Sequence, residues 1–137
     1  MTEETFAKYK KFFEGTLVFS DNERKIQELT RSLPGLFQKA ISILSDQLLE
    51  TKNTKTNKDQ LYGEAFKKLK ERNDRNFTTK EIDYMIRREP AYKTIAMDLN
   101  KQETYLGYFE KTVDNIKSIQ WQVKNYIELK KFFSGDY

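Results

Sequence analysis

Between Pro90 and Gly135 the apolar positions recur by alternating steps of four and three residues. The run Ile95, Leu99, Gln102, Leu106, Phe109, Val113, Ile116, Gln120, Val123, Ile127 and Lys130 is apolar at eight of its eleven positions, the spacing of a coiled-coil seam. A second line, Tyr105, Ile119, Tyr126 and Phe133, recurs beside it at multiples of seven. Only Gly107 interrupts the stretch, so the pattern predicts one helix of ~40 residues, ~60 Å long. A helix of that length with two apolar lines needs neighbours on both sides, which points to packing against copies of itself; the core helix of a monomeric bundle is the alternative. Gln102 and Gln120 fit the seam as polar positions that set register at some cost in stability. Trp121 lies off the main seam, as an interface anchor or as part of the second contact line.

Upstream, Thr2–Glu14 predicts a short helix capped by Thr2, with Phe6, Tyr9 and Phe13 on one face and Gly15 ending it. Thr16–Phe19 reads as a short extended segment. Ser20-Asp21-Asn22-Glu23 has the form of a capping box, opening a helix through Ile26, Leu29 and Leu33. Pro34-Gly35 predicts a kink or break, followed by a helical face of Phe37, Ile41, Leu44 and Leu48. The polar run Thr51–Lys58 predicts an exposed loop. Asp59–Arg72 resumes as helix with Tyr62, Ala65, Phe66 and Leu69 on one side, and Asn73–Phe77 reads as a loop. Thr78-Thr79-Lys80-Glu81 predicts a second capping box, and Pro90 disfavours helical geometry at Glu89, so the intervening helix should stop there. The fold class expected is all-α, with a small N-terminal helical region over 1–89 and a long C-terminal oligomerisation helix over 90–137.

The chain has 137 residues, 37% apolar and 34% charged, with aromatics at 14%, which suits one domain of ordered helices with a highly charged surface. Cys and His are both absent, which removes thiol chemistry, disulfides and His-based acid–base catalysis. The acidic residues form no defensible metal or nucleophile arrangement, and there is no phosphate-binding GxxxxGK[ST] loop. Glu81 and Asp83 read as charges at a helix N-terminus. No enzyme activity, no metal and no cofactor are expected. No stretch approaches 18 consecutive apolar residues, so a cytoplasmic protein without membrane attachment is the expectation.

Charge is unevenly spread. Lys52–Lys80 holds nine cations against four carboxylates, a net +5 that exceeds the +4 of the whole chain. Within it Lys67, Lys68, Lys70, Arg72 and Arg75 form the densest track, of the kind that binds phosphates by releasing condensed counterions. Tyr62, Phe66 and Phe77 lie close enough in sequence to stack on unpaired bases. The plain alternative is a solvated helix with salt-bridge partners.

Two stretches carry a family resemblance. Asp114-Asn115-Ile116-Lys117-Ser118, Trp121-Gln122-Val123-Lys124-Asn125 and Lys131-Phe132-Phe133-Ser134-Gly135 resemble the end of the UvsY family of phage recombination mediators. Leu69-Lys70-Glu71-Arg72-Asn73-Asp74 is similar to the L-K-x-R-x-D run that this family uses on single-stranded DNA. After Asp74 the chain departs from the family pattern: Arg75-Asn76-Phe77-Thr78 stands where paired tyrosines and a glycine usually follow. The resemblance implies a small all-α mediator that forms a homo-oligomeric ring of about six or seven copies through its C-terminal helices. It also implies binding to single-stranded DNA, contact with the phage recombinase, and help in replacing single-strand-binding protein, in the host cytoplasm if the chain is phage-encoded. Lys70 and Arg72 are the residues it assigns to DNA. The oligomer would be held by Leu99, Leu106, Phe109, Val113, Ile116, Val123 and Ile127. The competing reading is a coiled-coil adaptor that binds only proteins.

Overall fold

A computed structural model of the chain describes residues 1–19, 22–72 and 76–135. They form four helices, α1 (Glu3–Thr16), α2 (Glu23–Glu71), α3 (Thr79–Arg88) and α4 (Pro90–Ser134), and no strand occurs among the described residues. The fold is all-α. No helix among the described residues is long and apolar enough to cross a membrane.

Most helix ends follow local chemistry. The Thr2 hydroxyl accepts the Thr5 N–H at 3.2 Å and caps α1, which ends at Thr16 with the Leu17 N–H donating to the Phe13 carbonyl at 2.9 Å. Gly15 is therefore inside the helix, and Leu17–Phe19 carries no regular secondary structure. The capping role expected of Ser20 lies outside the described residues; Asn22 opens α2, its Oδ1 accepting the Arg24 and Lys25 N–H groups at 3.0 and 3.4 Å. The Thr78 hydroxyl accepts the Glu81 N–H at 3.2 Å to start α3. Glu89 is extended at ψ 132, as the residue before a proline should be, and α4 begins at Pro90. It ends at Gly135, whose φ of +77 lies in the left-handed region that favours glycine, with its N–H on the Phe132 carbonyl at 3.3 Å.

Two expectations for the middle of the chain are corrected. Of the kink or break expected at Pro34-Gly35, the break does not occur: Pro34 lies inside α2, and Gly35 has no positive φ that would turn the chain. Thr51–Lys58 is helix rather than loop. The stretch contains no glycine or proline, and its hydroxyls are satisfied without leaving the helix. Thr51, Thr54 and Thr56 donate to the carbonyls of Gln47, Glu50 and Lys52 at 2.8, 3.0 and 3.0 Å. Ile26, Leu29 and Leu33 are buried, but beyond Pro34 the buried side of α2 is rotated by one position from the expected face of Phe37, Ile41, Leu44 and Leu48. Leu36, Ala40, Ile43, Gln47 and Thr51 are buried there, whereas Phe37, Ile41 and Leu44 are half-buried and Leu48 is 54% exposed.

The chain packs as two compact units, Met1–Asp46 with Gly107–Tyr137, and Gln47–Leu106. The division expected at residues 89 and 90 was one of role; the packing units cut across it, because α2 and α4 each contribute to both. In the first unit α1 lays Phe6, Tyr9 and Phe13 edge-on to the fully buried Phe109, with ring centroids 5.9, 6.0 and 6.5 Å away. The start of α2 lies beside the end of α4, where Glu23 and Lys130 form an ion pair whose hydrogen bond holds the Lys130 ammonium above its ordinary range. In the second unit α3 is strongly amphipathic. Its Ile82 and Ile86 are buried with Tyr92 of α4 against Leu61, Tyr62, Ala65, Phe66 and Leu69 of α2. The same unit holds a polar knot: Gln47 Nε2 donates to Gln102 Oε1 at 2.6 Å and to Thr51 Oγ1 at 3.1 Å, while Gln47 Oε1 is buried with no hydrogen-bond partner among the described residues.

The C-terminal helix does not wait for copies of itself to bury its seams. In the single chain Leu99, Phe109, Val113, Ile116 and Val123 are at most 6% exposed. Tyr105 and Ile119 of the second line are buried too, and Leu106 is half-buried. Met97, off both lines, is 63% exposed, and the exposed apolar residues gather near the end of α4, at Trp121, Ile127, Leu129, Phe132 and Phe133.

Candidate nucleic-acid interface

The cationic track expected from the sequence lies on the last turns of α2. Leu61, Tyr62, Ala65, Phe66 and Leu69 turn inward there, and Lys67, Lys68 and Lys70 on the helix and Arg72 directly after it are all exposed. Arg75 lies outside the described residues. Among the described residues none of those four cations forms an ion pair. Lys70 is 5.7 Å from the Phe66 ring centroid, close enough for the ring to hold the ammonium near the surface. Because α2 continues unbroken through Thr51–Lys58, Lys52, Lys55 and Lys58 belong to the same helix. Lys52 and Lys55 are exposed, whereas Lys58 is half-buried over Tyr92, 5.6 Å from its centroid.

The aromatics expected to stack on bases are otherwise engaged. Tyr62 stacks on Phe66 at 6.3 Å and lies 6.1 Å from Tyr92. Phe66 and Phe77 pack on the Ile82–Ile86–Tyr92 cluster. The Tyr62 hydroxyl donates to Asp83 Oδ1 at 2.5 Å, and Arg87 Nε donates to both Asp83 oxygens at 3.1 and 2.9 Å. These contacts, the Tyr62 bond first, hold the Asp83 carboxyl below the usual aspartate range. The same bond holds the Tyr62 hydroxyl above its ordinary value, and Asp83 does likewise for the Arg87 guanidinium. Asp83 is thus a tie between α3 and α2 more than a helix-terminal charge.

One aromatic faces outward that the sequence reading passed over. Tyr84 on α3 is 60% exposed, and the Arg88 guanidinium lies 5.1 Å from its ring centroid and donates to its hydroxyl at 2.8 Å. The signal was available: in the amphipathic pattern of α3, Tyr84 falls opposite Ile82 and Ile86, where a charge would be expected. Among the described residues no group of three carboxylates is placed to hold a metal ion.

The exposed end of α4 is a surface of a different kind. Trp121, Phe132 and Phe133 are 66, 64 and 78% exposed, and beside them Ile26, Thr30, Tyr126 and Ile127 line a groove with Lys130 and Lys131. Exposed side chains of this size gathered at one end are typical of a protein–protein contact surface.

Comparison with known proteins finds the same fold in a solved structure. The chain resembles the crystal structure of the recombination mediator protein UvsY of bacteriophage T4, with a TM-score of 0.75 over 93% of this chain and 97% of that one. Identity over that match is 13%, so the likeness speaks to the fold. Comparison with curated protein sequences returns no match. The sequence profile of the family described as "Recombination, repair and ssDNA binding protein UvsY" matches residues 18–136. With nearly the whole chain covered by that profile, this protein belongs to the UvsY family.

Proposed function

We propose that this chain is a recombination mediator. It binds single-stranded DNA as a homo-oligomeric ring of about six or seven copies and helps load the phage recombinase in place of single-strand-binding protein. Membership of a family described by recombination, repair and single-stranded DNA binding carries the reading. Its physical support is the end of α2. Lys67, Lys68, Lys70 and Arg72 stand exposed with no carboxylate paired to them among the described residues, so they meet a phosphate chain without first breaking an ion pair. The mechanism is electrostatic and geometric. Each copy supplies a weak cationic track, and assembly multiplies the tracks through effective concentration, presenting the strand in a form on which the recombinase nucleates.

The exposed apolar end of α4 favours self-assembly, and it equally suits the second reading, an adaptor that binds only proteins. Anisotropy of labelled oligo(dT) at low and moderate salt separates the two. The mediator reading expects tight binding that weakens steeply with salt. The double variant Lys70→Ala, Arg72→Ala should weaken binding by roughly tenfold or more and flatten the salt slope, without changing the mass of the oligomer. No binding at low salt overturns the mediator reading; unchanged affinity of the double variant overturns the assignment of Lys70 and Arg72.

A further inference from the structure

We infer that the outward face of α3 is a second contact for single-stranded DNA, with Tyr84 as the platform on which an unpaired base stacks and Lys80, Arg87 and Arg88 as its phosphate contacts. The inference rests on the DNA-binding reading above and adds a place and a chemistry to it.

Several observations converge on this face. Among the described residues of the second unit Tyr84 is the one exposed aromatic: Tyr92 and Tyr105 are buried, and Tyr62, Phe66 and Phe77 are half-buried in its core. An exposed ring in isolation would need no explanation. Here Lys80 stands four residues before it and Arg87 and Arg88 three and four after, the spacings at which side chains on a helix are neighbours. All three cations are exposed; Glu81 shares that outer face, and Asp83 at its edge is paired with Arg87, which leaves Lys80 and Arg88 as the cations without an ion pair among the described residues. An aromatic ring set among cations is the combination that binds single strands: the ring takes the flat face of a base, which every base has, and the cations follow the backbone.

The ring is also preorganised. The Arg88 hydrogen bond and the guanidinium against the ring restrict its rotation, which lowers the ordering cost of stacking. Arg87 is positioned in its turn: Nε is committed to Asp83 and the guanidinium lies 5.9 Å from the Tyr92 ring centroid, which fixes its plane while its terminal nitrogens have no hydrogen-bond partner among the described residues. The Asp83 tie to Tyr62 thereby anchors the outward face of α3 to the helix that carries Lys67–Arg72. Duplex DNA would not use such a platform, because its bases are already stacked on one another.

The test compares oligo(dT) with an abasic phosphodiester strand of the same length, using the full chain and anisotropy at two salt concentrations. Tyr84→Leu keeps the bulk of the exposed side chain but removes the π face. It should weaken oligo(dT) binding by roughly tenfold while leaving the salt slope unaltered. Affinity for the abasic strand should be the same for the variant and the unaltered protein. Tyr84→Phe, which retains the π face, should bind oligo(dT) within about twofold of the unaltered protein. Equal affinity of Tyr84→Leu and the unaltered protein for oligo(dT) overturns the inference, and so does an equal loss on both strands. Failure of the unaltered protein to bind oligo(dT) at low salt is a different result, which overturns the DNA reading itself.

Discussion

Asp83 shows how far a single residue can depart from its local reading. Its place in the first turns of α3 suits a charge facing the positive end of a helix, and Glu81 two residues earlier fits that role. Asp83 instead takes hydrogen bonds from Tyr62 and Arg87, contacts that come into view only when α3 lies on α2. Because its folded-state pKa is lowered, the stabilisation is fully present above the ordinary aspartate value of about 3.9 and is lost as pH falls through the lower folded value. The thermal midpoint should therefore drop on acidification below about pH 4, and Asp83→Asn should flatten that acid limb. An Asp83→Asn protein as acid-sensitive as the unaltered chain would place the effect on other carboxylates. The aromatics illustrate the same point. Tyr62, Phe66 and Phe77 sit beside cations in sequence and look available for bases, yet the core claims all three, while Tyr84 is left at the surface.

At the scale of an element, α2 is the instructive case. Its buried positions step by threes and fours from Ile26 to Thr51, but the line passes through Ala40, Gln47 and Thr51. A reading that counts only large apolar residues slides one position along, to Phe37, Ile41, Leu44 and Leu48, and then loses the helix in the polar run that follows. The polar members of the line meet Gln102 of α4, which the seam of that helix had marked as a register position. A buried amide of this kind is costly when its partner is removed and nearly neutral when both are replaced. Gln102→Leu should destabilise the chain by about 1–3 kcal/mol in urea unfolding, and adding Gln47→Leu should recover most of that loss. If the double variant is no better than the single one, the knot is not the pairwise contact described here. The two ends of α4 follow simpler rules: Pro90 starts it and Gly135 ends it, each through its own backbone geometry.

For the whole molecule, the proposed assembly of several copies needs a surface that the single chain leaves uncovered. The seam of α4 is consumed within the chain as far as Val123, so Val113→Asp would place an unpaired charge in the first unit and unfold it, rather than only separating copies. The proposed surface for self-association is the densest group of exposed apolar side chains, at the end of α4 with Trp121, Ile127, Leu129, Phe132 and Phe133. Phe132→Ser with Phe133→Ser should lower the mass in solution measured by light scattering while leaving helical content intact. Apparent affinity for long oligo(dT) should fall by roughly a hundredfold with it, since separated tracks no longer act together. A variant that keeps the full mass would place the contact between copies on another surface.

Local chemistry along the chain determined the all-α class, the caps at Thr2 and Thr78, the break at Glu89–Pro90, the reach of α4 and the cationic end of α2. Each of these depends on a residue and its neighbours within about one turn, or on charge, which a residue carries wherever it lies. Tertiary structure decided the rest: which side of α2 is buried beyond Pro34, that it runs on through Thr51–Lys58, that α4 spends its seams on its own chain as far as Val123, and that Tyr84 rather than Tyr62 or Phe77 faces water. Burial is set by segments distant in sequence, and a helix with a polar middle persists when packing on either side of it outweighs the weak preference of those residues for loops.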